Sequence, residues 1–247
     1  MCFCKFLNYS IYYGGSELLL SFLEKNRQIS INTINPHSYC VAKKDGLFQK
    51  ALKESDLLLP DGIGISLAEK ILYGKKVLQY TGPTMHIDIL QYANIKRLKV
   101  FYLGSNETTL SLIYKRIKNE YPNIKEIYTY SPPFKTEFTK EDNIAMVNVI
   151  NQAQPDILFI GMTAPKQEKW GYLFREKLHV KVICSIGAAF DFFAGTVPLA
   201  PAWMIHNHLQ WLYRLYKEPV RMWRRNFIST PIFLLDMFMY KCGFKKM

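Results

Sequence analysis

The feature that most constrains the fold is a repeated couplet. A short run of Val, Ile, Leu and aromatic residues ends in a glycine turn and is followed by a segment with helical spacing of apolar residues. Lys99-Val-Phe-Tyr-Leu103 ends at Gly104-Ser105-Asn106 and opens a helix to about Tyr121. Asp156-Ile-Leu-Phe-Ile160 ends at Gly161-Met162 before a helix that begins near Pro165. Lys181-Val-Ile-Cys-Ser-Ile186 ends at Gly187-Ala188-Ala189. Continuous apolar runs are strands buried on both faces, and strands separated by helices pair in parallel. Upstream, the pattern predicts a helix over Ser16–Asn26 with Ser16 as N-cap and a strand over Gln28–Asn32. A helix from about Ser38 to Ser55 and a strand Leu57-Leu58-Leu59 follow, running into Pro60-Asp61-Gly62. The expected fold class is α/β, a Rossmann-like, mainly parallel sheet flanked by helices. A chain of 247 residues holds one such core and a small appendage.

The composition shifts after Pro198. Beyond it lie Arg214, Lys217, Arg221, Arg224, Arg225, Lys241, Lys245 and Lys246 against only Glu218 and Asp236, so this segment supplies half of the formal net charge of +12. It also holds Trp203, Trp211 and Trp223. Arg214, Arg221 and Arg224 fall at helical spacing on one face. Basic and aromatic residues together suit a lipid headgroup interface. The same composition also fits nucleic acid, with arginines on phosphates and rings on bases, or a helix that simply packs. The expected organisation is a catalytic domain over 1–198 and a C-terminal helical, membrane-associating appendage over 199–247. No apolar run reaches the length of a membrane span, since Phe227–Tyr240 is broken by Pro231 and carries Asp236. The N-terminal residues do not read as a cleavable leader, and five scattered cysteines without a CxxC pair suit a reduced, cytoplasmic chain without structural zinc.

In open parallel sheets ligands bind at the carboxyl ends of strands, and three loops there carry suitable residues. Asp61 follows three leucines and precedes Gly62 and Gly64, which let a substrate approach closely. It reads either as a general base for a hydroxyl or as a turn aspartate. Gly104-Ser105-Asn106 offers backbone N–H groups at a helix start to a phosphate, or is an ordinary strand-to-helix turn. Thr163-Ala-Pro-Lys-Gln-Glu168 puts Lys166 and Gln167 in a first helical turn, where a lysine opposes the helix dipole and so favours a ligand role. No D-x-D pair, phosphate loop, G-x-S-x-G elbow or full dinucleotide fingerprint occurs. His206 and His208 diverge on a helix, so no metal site is expected.

Ordered motifs then add a resemblance. Thr33-Ile-Asn35, Leu59-Pro-Asp61-Gly-Ile-Gly64, Leu103-Gly-Ser105, Pro155-Asp-Ile-Leu158 and Pro165-Lys-Gln-Glu168 occur in sequence. They are followed by Gly187-Ala-Ala-Phe-Asp191 with Ala194-Gly195, Ala200-Pro-Ala-Trp203, Trp211-Leu-Tyr-Arg214, Glu218-Pro-Val-Arg221 and Arg224-Arg225. From about Thr33 to Phe227 the chain resembles the bacterial WecG/TagA/CpsF glycosyltransferases. The resemblance implies an inverting, metal-independent transfer of an N-acetylmannosamine-type sugar from UDP to undecaprenyl-diphosphate-linked N-acetylglucosamine. It assigns Asp61 as base, Thr33, Asn35 and Gln167 to the pocket, and Arg214, Arg221 and Arg224 to the diphosphate. The partners it implies are a UDP-sugar, a lipid-diphosphate-linked acceptor, the anionic inner face of the cytoplasmic membrane and further copies of the chain, with no cofactor and no nucleic acid. The chain departs from the family pattern at Gln79, Thr84, Leu199 and Gln210, where the family carries arginine or acidic residues. Those departures leave an amino sugar, a uronic acid or a hexose as the donor.

Overall fold

The structure, a computed structural model, describes residues 3–25, 27–74, 80–201, 203–204 and 209–244. Gln79, the His206–His208 pair and the Arg221 side chain, singled out above, lie outside the described set.

The strands are β1 (Phe3–Phe6), β2 (Tyr9–Tyr12), β3 (Ile29–Ile34), β4 (Leu57–Pro60), β5 (Lys99–Gly104), β6 (Glu126–Tyr130), β7 (Ile157–Gly161) and β8 (Val182–Ser185). They form one sheet in the order β1-β2-β4-β3-β8-β7-β5-β6. Every pairing from β2 to β6 is parallel, and only the edge strand β1 runs antiparallel, to β2. The mainly parallel α/β sheet expected from the apolar runs is the one found.

One sheet face is sealed by a single cluster that gathers Ile29, Ile31, Leu57, Leu59, Tyr102, Phe159 and Cys184 with helical residues such as Leu19, Ile89, Ile113 and Phe190. The opposite face carries two clusters, one around Ile34, Leu58 and Phe48, the other around Phe101, Leu158, Ile160 and Trp170. Between them runs a polar seam of Ser30, Asn32, Ser185, Glu168 and Arg175, which line a small cavity. Of these, Asn32, Ser185 and Glu168 are buried.

The helix expected over about Ser38–Ser55 is two helices, α2 (Pro36–Ala42) and α3 (Gly46–Lys53) in a chain whose first helix, α1, is Gly15–Lys25. Two capping residues explain the break. Asn35 caps α2 in a reciprocal box with Ser38, and the Asp45 carboxylate accepts from Phe48 N–H to start α3. Ser16 does not cap α1, which begins one residue before it.

Past residue 209 come α10 (Gln210–Lys217), α11 (Pro219–Trp223), a π-helical turn (Arg224–Ser229) and α12 (Thr230–Lys241). The last of these is anchored in the core. Phe233 and Met237 are buried with Tyr39, Ala42 and Ile65, a gain of about 2–3 kcal/mol each. Asp236 accepts from the Tyr39 hydroxyl at 3.1 Å and pairs with Lys43. Among the described residues Cys40, Cys184 and Cys242 are free thiols, and no helix is long and apolar enough to cross a membrane.

Candidate active site

Strand order reverses at β3 and β8. From β3 the chain steps outward to β4, whereas β8, β7 and β5 lie on the other side. The carboxyl ends of β4, β3, β8 and β7 therefore frame the crevice where an open α/β sheet takes its ligand.

At the β3–β4 side, Thr33 pairs with Leu59 and Ile34 with Pro60. Asp61 continues this ladder one residue further, its N–H donating to the Ile34 carbonyl at 2.9 Å. Its carboxylate accepts from Asn35 Nδ2 at 3.3 Å, while Asn35 Oδ1 accepts from Ser38 N–H at 2.9 Å. Asn35 thus caps α2 with one end of its amide and orients Asp61 with the other. Gly62, with φ +84°, turns the chain into α4 (Ile63–Tyr73). A Cβ on Gly64 would lie 2.5 Å from Pro36 Cγ, so the loops after β3 and β4 touch only because that residue is glycine.

Helix α5 (Gly82–Lys96) starts between the β4 and β8 ends. Tyr80 N–H donates to the Pro60 carbonyl at 3.0 Å, and a Cβ on Gly82 would come within 3.4 Å of the Ile186 carbonyl. Thr84, which stands where the family has an acid, is spent on this helix start: its N–H donates to Thr81 Oγ1 and the two hydroxyls are 3.0 Å apart.

At the β7–β8 side, Gln167 lies in the first turn of α8 (Lys166–Phe174), buried beneath Gly187. A Cβ on Gly187 would sit 3.3 Å from Gln167 Oε1. Gln167 Nε2 donates to Glu168 Oε1 at 2.8 Å. Burial pushes the Glu168 carboxyl up from 4.5 to about 7, against the favourable bonds from Gln167 and its own backbone N–H. Lys166 points elsewhere. Its ammonium donates to the Lys135 carbonyl and lies 3.5 Å from the Phe138 ring centre, and burial lowers its pKa.

Gly104, Ser105 and Asn106 stand four strands from Asp61 in the sheet order, roughly 19 Å across. Gly104 has φ +123°, and a Cβ there would fall 2.5 Å from the Gly161 carbonyl. Ser105 N–H donates to that carbonyl at 3.1 Å. Asn106 caps α6 (Glu107–Glu120) by accepting from Thr109 N–H at 2.9 Å, so its side-chain oxygen already has a partner. The structure therefore groups Thr33, Asn35, Asp61 and Gly62, places Gln167 across the crevice, and sets the Gly104 turn at its far end.

The C-terminal helices return to this edge. The Arg214 guanidinium lies 4.8 Å from the centre of the Phe192 ring, on α9 (Ala189–Ala194), which begins two residues after Gly187. The π-helical turn packs on α2, where His37 Nδ1 and Ser229 Oγ are 2.9 Å apart and Cys40 Sγ donates to the Ser229 carbonyl at 3.3 Å. Burial, then the Arg225 charge, lowers the His37 pKa. Arg224 is exposed, as are Trp211, Tyr216, Val220, Trp223 and Phe227 around it. Glu168 is the site-region residue that sequence reasoning passed over. Its signal is an acid on the same face as Gly171 and Tyr172, the face α8 turns toward α3.

Residues 12–247 match the glycosyl transferase WecG/TagA/CpsF family. The chain belongs to that family. It is a glycosyltransferase, and the reading of the chain as a protein without catalysis gives way. Its relatives include the N-acetylglucosaminyldiphosphoundecaprenol N-acetyl-beta-D-mannosaminyltransferase of Bacillus subtilis (strain 168), 32% identical over 93% of this chain and 89% of the relative. The protein of the same name from Bacillus spizizenii is 30% identical over 87% of this chain and 81% of the relative. The one from Staphylococcus aureus (strain MW2) is 24% identical over 90% and 85%. In the transferase described here, the motifs around Asn35, Asp61, Gly104, Gln167 and Gly187 lie at the carboxyl edge of the sheet, whereas Pro155-Asp-Ile-Leu158 starts β7 at the opposite edge.

Proposed function

We propose that the transferase moves an N-acetylmannosamine-type sugar from a UDP-sugar to N-acetylglucosamine carried on undecaprenyl diphosphate, with inversion and without a metal ion. The observation that carries the reading is the Asp61 carboxylate, half-buried at the β4 end and oriented by the Asn35 amide. A base held this way takes the proton of the acceptor hydroxyl as its oxygen attacks the anomeric carbon. The bond from that carbon to the UDP oxygen breaks on the opposite face, and UDP leaves with the electron pair. The charge arising on the diphosphate meets Arg214, Arg221 and Arg224 together with backbone N–H groups at the start of α5. These fixed positive groups supply the stabilisation that the leaving diphosphate needs. Thr33, Asn35, Gly62 and Gln167 line the sugar end of the crevice; Gly104, Ser105, Asn106 and Lys166 flank the nucleotide end.

The acceptor is lipid-bound, so the reading places the enzyme peripherally on the cytoplasmic face of the membrane. The exposed Trp211, Tyr216, Lys217, Trp223, Arg224 and Phe227 suit an anionic headgroup layer. The second reading is the same chemistry with a hexose or uronic acid donor, since Thr84 at the start of α5 departs from the family's acid there. The test is a panel of UDP-sugars with a short-chain lipid-diphosphate acceptor, with and without a chelator, read by mass spectrometry and by the anomeric configuration of the product. Transfer from UDP-N-acetylmannosamine with inversion and undiminished by chelator is expected. Retention, or loss of transfer with the chelator, overturns the mechanism.

A further inference from the structure

Two arginines of the α/β core are spent on the fold. Arg116 gives Nε to Glu120 at 2.7 Å and Nη1 to the Phe193 carbonyl at 2.8 Å. Arg175 pairs with Asp56 at 2.8 Å and donates to Ser30 and Gln28. Arg214 on α10 is held differently. It is half-buried, and its guanidinium carbon lies 4.8 Å from the centre of the Phe192 ring. Among the described residues no oxygen accepts from it. A ring attracts a cation through its face but offers no lone pair to an N–H. The contact therefore fixes where the charge stands and leaves its donors unused. A carboxylate in the place of Phe192 would hold the arginine harder, but would occupy the paired N–H groups that match a phosphate.

The platform under Arg214 is firm. Phe192 sits on α9, the six-residue helix after the Gly187 turn at the β8 end. The next residue, Phe193, is buried. Its ring meets His86 edge-on with centroids 4.7 Å apart, and the Arg116 guanidinium lies 4.4 Å from its centre. A helix gripped through Phe193 has little freedom to swing Phe192. The C-terminal segment has a separate anchor in Phe233 and Met237, so the contact with Phe192 is not needed to keep that segment attached.

We propose that Phe192 is a positioning residue: its ring holds the Arg214 guanidinium beside the β8 end of the crevice with the N–H groups free for the oxygens of the departing nucleoside diphosphate. This rests on the reading of Arg214 as a diphosphate partner. It goes further by assigning the residue that carries the arginine to the site, and it makes α9 the element through which the C-terminal helices complete that site. A cation placed before the bond breaks needs no reorganisation as charge appears, so it acts on turnover more than on substrate binding.

The test uses the full chain with a short-chain lipid-diphosphate acceptor and the UDP-sugar that wild type accepts in the panel above. It compares wild type, Phe192→Leu, Phe192→Tyr, Arg214→Ala and the double variant of Phe192→Leu with Arg214→Ala, each checked for folding by circular dichroism. Arg214→Ala is expected to lower kcat about a hundredfold. Phe192→Leu keeps an apolar side chain but removes the ring face. It should lower kcat about fivefold, the worth of a half-buried cation–π contact, with KM for either substrate within about twofold. Phe192→Tyr keeps the face and should turn over as wild type does. In the Arg214→Ala background, Phe192→Leu should cost nothing further. Normal turnover in Phe192→Leu, a loss that tyrosine shares, or equal losses in both backgrounds each overturn the assignment while leaving Arg214 in the mechanism. Normal turnover in Arg214→Ala overturns it by removing the arginine from the reading itself. If wild type transfers no sugar from any member of the panel, the transfer reading fails first and carries this one with it.

Discussion

Replacing Glu168 with glutamine should stabilise the protein, and only above a definite pH. In the folded chain burial raises the carboxyl from 4.5 to about 7. Each tenfold change in proton affinity is worth about 1.4 kcal/mol, so the folded state disfavours the ionised form by roughly 3 kcal/mol. The sign follows from proton uptake. Between pH 4.5 and about 7 the folded chain binds more protons at this site than the unfolded one, so stability declines as pH rises through that window. The contribution is fully present below 4.5 and lost above about 7. Arg175, the cation lining the same cavity, is committed to Asp56 at 2.8 Å and leaves the acid uncompensated. Glutamine at 168 has no charge to bury. Its own unmatched N–H costs about 1–3 kcal/mol, but equally at every pH. Urea unfolding of both proteins at pH 5, 6, 7 and 8 reads the difference. The variant should gain on wild type by up to about 3 kcal/mol across that range. A stability difference that stays constant from pH 5 to 8 would falsify the argument that Glu168 carries a buried, poorly compensated charge.

Three other outcomes are expected. Asp61→Asn keeps an acceptor for Asn35 but removes the base, so turnover should fall about 10²–10⁴-fold while the circular dichroism spectrum and UDP affinity hold; near-normal turnover would remove Asp61 from the mechanism. Gly104→Ala puts a methyl against the Gly161 carbonyl at positive φ and should cost about 3 kcal/mol in chemical denaturation; a neutral effect would contradict the tight β5–β7 crossing. Trp223→Ala combined with Arg224→Ala should weaken binding to anionic liposomes about tenfold, and added salt should shrink the difference. Unchanged sedimentation would place the membrane contact elsewhere.

Much of this was legible in the sequence because buried parallel strands write themselves as unbroken apolar runs. β5, β7 and β8 could be read from Val100, Phe101, Leu158, Phe159 and Ile183, each of which is buried. The glycines that end them mark the edge of the sheet where the site lies. Edge strands have no such signature. β6 sets exposed Glu126 and Thr129 among half-buried Ile127, Tyr128 and Tyr130, and β1–β2 is a hairpin whose turn, Leu7-Asn8, uses positive φ at two residues that are not glycine. The break between α2 and α3 was hidden because Asp45 sits inside a run of helix-forming residues, and only its bond to Phe48 N–H shows it to be a cap. Site residues were legible by type but not by direction. Asp61 stands half-buried at the crevice and Gln167 is buried under the Gly187 loop, whereas Lys166 turns to Phe138 and Asn106 spends its oxygen on α6. A lysine's long stem can reach several places, and nothing local in a sequence says which neighbour will claim it.

Helix α2 has two neighbours that matter. Its first turn is fixed by Asn35, the residue that steers Asp61, and its outer surface receives Ser229, Phe233 and Asp236 from the far end of the chain. Whatever tugs or tilts those last helices, a bilayer included, is therefore felt one short helix away from Asp61, the proposed proton acceptor. A shortened protein made to improve solubility would bare Tyr39 and Ala42 and loosen the footing of Asn35. Its sluggish turnover would then report a slack aspartate as much as a lost grip on lipid.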